Sequence, residues 1–163
     1  SQINDDYDLN EQFIISKQDK GALTEFSHRL IDDWRGELVL IECKGNIKAP
    51  QKIIDSSYAD VDIRQHTSER LKIKAELDFR NQNKKMLYVR PFFEQRYIQS
   101  YTLNGPDILI FTEKNYQHSH QYGGNTLIET IYKFILDNDT LQLDIITISN
   151  GYFSSEERWS LTR

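Results

Sequence analysis

Asn150-Gly151 constrains this chain more than any other pair of residues, because it supplies the two left-handed positions that a two-residue hairpin turn requires. The run TLQLDIITIS (140–149) leads into it and YFSSEERWSLTR leads out of it to residue 163. Asp137-Asn138-Asp139 forms a second break, before which stands LIETIYKFIL (127–136). Residues 127–163 are therefore expected to form three antiparallel strands joined by tight turns. With Ser149 opposite Tyr152, counting back pairs Ile148 with Phe153, Ile146 with Ser155, Asp144 with Glu157 and Gln142 with Trp159. Side chains alternate with a period of two. The face that carries Gln142, Asp144, Ile146, Ile148, Phe153, Ser155, Glu157, Trp159 and Leu161 is expected to be interior, because it groups Phe153, Trp159 and Leu161.

The same alternation recurs upstream. LKIKAELDFR (71–80) places Leu71, Ile73, Ala75, Leu77 and Phe79 inward and charged residues outward. KMLYVRPFFE returns after a turn at 81–84, and 96–103 with 108–113 reads as another hairpin around Asn104-Gly105-Pro106-Asp107. GELVLIECKG (36–45) reads as a central strand, 52–64 as a weaker pair or irregular edge, and 115–125 as a loop. One helix is expected, at about 22–33, where Leu23, Phe26, Leu30 and Ile31 recur at helical spacing and Trp34 closes the stripe. Gly21 is expected to divide it from a weak first piece. Residues 1–12 read as a polar, frayed tail and 13–163 as one domain. A meander of about eight to ten strands with one N-terminal helix predicts a mainly β, antiparallel up-and-down barrel with the helix closing an end.

Composition narrows the function. At 163 residues, with nine Tyr and eight Phe, the chain is long and apolar enough to bury a core without metals or disulfides. Its formal net charge of −5 argues against nucleic acid as the main partner, since phosphate binding favours a basic face. No apolar run approaches the roughly 20 residues of a membrane span. Cys43 is the single cysteine; alternating with Val39 and Ile41, it reads as a small buried hydrophobe. The first residue is Ser, which would fit a processed periplasmic or secreted precursor, the alternatives being cytoplasm or plastid stroma. Asn138-Asp139-Thr140 is a short glycosylation sequon at a hairpin tip.

Several constellations suggest chemistry. Asp144 and Glu157, facing each other, would share a raised pKa and hold a polar head group. Arg90, Arg96, Tyr88, Tyr97 and Tyr101 crowd the middle hairpins; outward they are ordinary strand decoration, and inward they would ring a pocket whose arginines pair an anionic ligand. Glu42-x-Lys44 on an apolar strand, with Glu25 upstream, has the spacing of a Mg-dependent restriction-type nuclease, although an alternating strand with outward Glu42 and Lys44 is the far more ordinary reading. His118-x-His120 has the spacing of a metal pair but lacks further ligands, so no metal site is expected.

The helix running into Trp34-Arg35-Gly36 resembles the start of the lipocalin-like (calycin) barrels. Within these, Phe26 and Trp34, Ile128-Glu129 with Tyr132 and Phe134, the 137–139 turn, and Gly151 with Phe153-Ser154 resemble the S-type phycobiliprotein lyases. That family's paired arginines fall here on Gln142 and Asp144. The resemblance implies a calycin barrel, a tetrapyrrole as a possible ligand, and Glu129 as a candidate catalytic residue of a bilin lyase.

The leading expectation is a non-catalytic carrier holding an elongated apolar molecule with a polar head in the barrel, with no required cofactor and a lipid or tetrapyrrole as ligand. Its expected binding residues are Glu157, Asp144, Trp159, Phe153, Gln142, Arg90, Arg96, Tyr97 and Trp34. The alternatives are the bilin lyase, a surface interaction module using an exposed edge at 52–64, and, more remotely, the nuclease.

Overall fold

The computed structural model describes residues 15–46, 48–68, 70–118 and 124–163. The polar tail expected at 1–12 lies outside them. One helix, α1 (Lys17–Leu30), precedes nine strands: β1 (Asp32–Asn46), β2 (Ala49–Thr67), β3 (Arg70–Phe79), β4 (Lys84–Phe92), β5 (Ile98–Asn104), β6 (Ile108–His118), β7 (Asn125–Asp137), β8 (Thr140–Ser149) and β9 (Tyr152–Thr162). All pairings are antiparallel, and the sheet order is β4-β3-β2-β1-β9-β8-β7-β6-β5. Mainly β, up-and-down architecture with one α-helix among the described residues is thus what the strand patterns encode.

The sheet is coiled, yet hydrogen bonding does not close it. β4 and β7 lie six positions apart in the order, about 29 Å in a flat sheet. The Phe92 and Phe134 rings nevertheless stack with centroids 5.7 Å apart, and Tyr88 meets Trp159 edge-on at 5.1 Å. The seam falls between β4 and β5, which are the two edge strands. Lys84, Lys85 and Pro91 lie on the β4 edge, residue types that discourage strand addition. The 52–64 segment is an edge only in part. It belongs to β2, which pairs with β1 as far as Ile63, but β3 joins its other side only from Tyr58, so 52–57 has no strand partner there among the described residues; Ser57, Ala59, Val61 and Ile63 form its buried face. Its run of outward Asp60, Asp62 and Arg64 masks that alternation in the sequence.

α1 starts at Ser16, whose hydroxyl accepts the Asp19 amide at 3.2 Å, and it runs through Gly21 without a break. It ends before the expected 33 because the Trp34 indole donates to the Leu30 carbonyl at 2.9 Å and Asp32 already belongs to β1. The helix covers the end of the barrel where β1 begins and β9 finishes. Phe26 packs edge-on against Phe134 at 6.0 Å, Arg29 reaches Pro106 O and Asp107, and Arg163 donates to Arg29 O at 2.8 Å.

The closing hairpin departs from the expected register. Ser149 faces Tyr152 and Ile148 faces Phe153, but Thr147 then faces Ser155, leaving Ser154 as the extra residue of a bulge. Beyond it Ile145 faces Glu157, Asp144 faces Arg158, Leu143 faces Trp159 and Gln142 faces Ser160. The bulge turns the β9 residues after it to the opposite face relative to those before it. Leu141, Leu143 and Ile145 therefore share the interior with Glu157, Trp159 and Leu161, while Gln142, Asp144 and Phe153 face outward.

The β1–β2 hairpin outruns its neighbours. β9 pairs with β1 only as far as Glu42, and β3 pairs with β2 only from Tyr58. Cys43 is consequently exposed rather than buried.

Candidate functional site

The coiled sheet brings together inward residues from four strands. On β4, Tyr88 and Arg90 point inward opposite Ala75 and Ile73. From β9, Glu157 and Trp159 meet them, and Tyr132 comes from β7. Glu157 Oε1 accepts from the Tyr88 hydroxyl at 2.6 Å and from Trp159 Nε1 at 3.1 Å. Arg90 donates through Nη2 to Glu157 Oε2 at 3.0 Å, through Nε to the Tyr88 oxygen at 2.6 Å and through Nη1 to the Tyr132 oxygen at 3.5 Å. Burial pushes the Tyr88 and Tyr132 hydroxyls up, with Glu157 and Glu113 respectively adding to the rise. Burial alone would lower Arg90, but Tyr88, Tyr132 and Glu157 outweigh it and hold the guanidinium charged. Both carboxylate oxygens of Glu157 and all three guanidinium nitrogens of Arg90 are engaged, so this network ties β4 to β7 and β9 across the barrel.

Glu113 on β6 adds a second, half-buried carboxyl. It accepts the Glu94 amide at 3.2 Å and also a backbone hydrogen bond from Phe93. Desolvation pushes its pKa up to about 7, against those hydrogen bonds and Arg90. Phe93 stands at a φ of +63°, unusual for a large aromatic residue. Glu113 thus clamps the connection that spans the open seam. The Phe93 ring stacks on Phe111 at 4.6 Å and on Phe92 at 5.1 Å.

Beyond this clamp lies a half-open cavity of about 540 Å³ between α1 and the strand ends. Its apolar wall is Ile15, Leu23, Leu71, Phe93 and Ile98; Lys20, Thr24, Ser27 and His28 line it from α1, and Gln65, Ser68 and Arg70 from the opposite bank. A larger groove of about 920 Å³ lies on the outer side of β1–β4, where carboxylates and Tyr58, Met86 and Leu87 meet solvent. The barrel interior next to α1 is filled by Trp34, Phe92, Phe111, Phe134 and Trp159, each fully buried.

The expected binding residues separate into four places. Glu157, Trp159 and Arg90 meet in the interior network. Asp144, Gln142 and Phe153 sit on the outer face, where Gln142 bonds Asp144 at 3.1 Å and Phe153 is 41% exposed. Arg96 is exposed, stacked on Tyr97 at 4.7 Å and 3.4 Å from Glu94. Trp34 is buried beneath α1 with Arg163 over its ring at 4.6 Å. Glu129 lies on the outer side of β7, out of register with inward Thr130 and Tyr132. Glu42 and Lys44 form an ion pair at 3.6 Å on the face of β1 that also carries Leu38 and Leu40, in a sheet that lacks the mixed, helix-flanked layout of the nuclease pattern. His118 Nδ1 contacts Asn125 Oδ1 at 3.1 Å, while His120 lies outside the described residues. Among the described residues no group of three or more His, Cys, Asp or Glu could hold a metal ion, and no helix is long and apolar enough to cross a membrane.

Sequence reasoning grouped Tyr88 with Arg90 without fixing its face, named Tyr132 only within the lyase resemblance, and missed Glu113. The signal for Tyr88 was present: pairing 84–92 with the unambiguous alternation of 71–79 places it inward. Compared with known proteins, the chain matches no family model and no curated sequence.

Proposed function

We propose that this protein is a non-catalytic binding protein that takes an elongated apolar molecule with a polar head into the cavity beneath α1. The observation that carries this reading is the cavity itself. Its volume falls in the usual range for small-molecule sites, and its apolar wall is rimmed by a few polar groups. The lipocalin-like resemblance points to the same class of activity. The interior network serves as scaffolding: both Glu157 oxygens and all three Arg90 nitrogens are bonded within it.

Titration calorimetry with straight-chain fatty acids, fatty alcohols and a bilin tests the reading. Saturable binding of one molecule per chain is expected, and Leu23→Trp, which fills the cavity from the helix side, should abolish it while the fold persists. Absence of saturable binding across the panel, or unchanged binding by Leu23→Trp, would overturn the reading.

A further inference from the structure

The cavity beneath α1 carries charge of one sign. Lys20 and His28 lie on the helix bank with Thr24 between them, on one face by their four-residue spacing, and Arg70 opens β3 on the other bank. Among the described residues no Asp or Glu lines the cavity directly, although carboxylates outnumber lysines and arginines in the chain, 25 to 20, and Glu94 pairs with Arg70 behind its bank. Among the described residues Lys20 and the His28 ring have no ion-pair partner.

Arg70 is held at this bank by an ion pair. Its Nε is buried against Glu94 Oε2 at 2.6 Å, so a carboxylate already faces that nitrogen and only the Nη groups remain for a ligand. The site also separates its two chemistries: cations and hydroxyls on the banks, Phe93 and Ile98 on the apolar wall. Such a division suits an amphiphile whose head stays at the rim while its chain leaves water.

Resting on the binding reading above, we propose that this cavity selects amphiphiles with an anionic head, a carboxylate or a phosphate monoester, held by Lys20, His28 and Arg70 with the chain against Phe93 and Ile98. Neutral and cationic amphiphiles of equal length gain the same apolar burial but lack the charge-assisted hydrogen bonds.

The test uses the full chain and four probes of one chain length, each below its micelle concentration: dodecanoate, dodecyl phosphate, dodecanol and dodecylamine. At least one anion should bind about ten-fold or more tightly than dodecanol, corresponding to a single charge-assisted hydrogen bond, and dodecylamine should bind weakest. The tighter anion identifies the head. Lys20 is exposed on α1, so Lys20→Ala should fold normally, weaken the anion and leave dodecanol unchanged. Dodecanol binding as tightly as both anions, or Lys20→Ala weakening all probes alike, would overturn the anionic preference while leaving the binding reading intact. Failure of all four probes to bind would overturn both.

Discussion

Glu157 is a buried and Glu113 a half-buried carboxyl, and their surroundings give them opposite thermodynamic roles. Glu113 holds its proton to about pH 7 in the folded chain because desolvation outweighs its hydrogen bonds. A carboxyl whose folded pKa lies above its unfolded value stabilises the fold fully below the unfolded value, and that contribution is lost as pH rises through the folded one. Between about pH 4.5 and 8 the wild type should therefore lose up to about 3 kcal/mol relative to Glu113→Gln, which keeps an oxygen for the Phe93 and Glu94 amides. Chemical denaturation of both proteins across that range checks this, and parallel profiles would show that Glu113 is solvated. Glu157, 5% exposed, is instead compensated by Arg90, Tyr88 and Trp159. Sequence reasoning pairs it with Asp144, which would make Glu157→Gln neutral or stabilising. With Arg90 as partner, Glu157→Gln should destabilise by about 2 kcal/mol, because it strips the counter-charge from a mostly buried guanidinium. Equal stability of the variant would contradict the network.

At the scale of elements, the junction of β1 and β9 decides whether the sheet can coil. A Cβ on Gly36 would lie 1.9 Å from the Ser160 carbonyl oxygen and 2.9 Å from its carbon, both backbone atoms of a paired strand. Gly36→Ala should cost about 3 kcal/mol, at the upper end of ordinary overpacking, whereas Gly21→Ala on α1, with open space around it, should stabilise slightly. Thermal melts of the two variants check the contrast, and similar melting temperatures would contradict the close approach. Most elements were legible in the sequence because hydrophobic alternation and turn residues determine them locally. Leu71 to Phe79 reads inward without fault, and Thr140–Ser149 has the bounds expected for it. The bulge at Ser154 was not legible. One extra residue beyond the turn leaves local composition unchanged yet moves Asp144 from the interior to the outer face. The site was correspondingly half legible: Arg90, Glu157 and Trp159 were singled out, while Glu113 was hidden because its partners come from the β4–β5 connection, distant in sequence.

For the molecule as a whole, an antiparallel sheet coils until its first and seventh strands touch, an aromatic core and a salt-bridged network fill it, and α1 covers one end without sealing it. The apolar volume that remains lies beside the helix rather than along the barrel axis, and that is where the proposed binding activity resides. Backbone amide NMR of the full chain during titration with dodecanoate tests this most directly. Saturable shifts are expected at residues 20–28, 65–71 and 93–98, with the outer faces of β7 and β8 unchanged. Shifts confined to the outer groove of β1–β4, or no saturable shift at all, would contradict it.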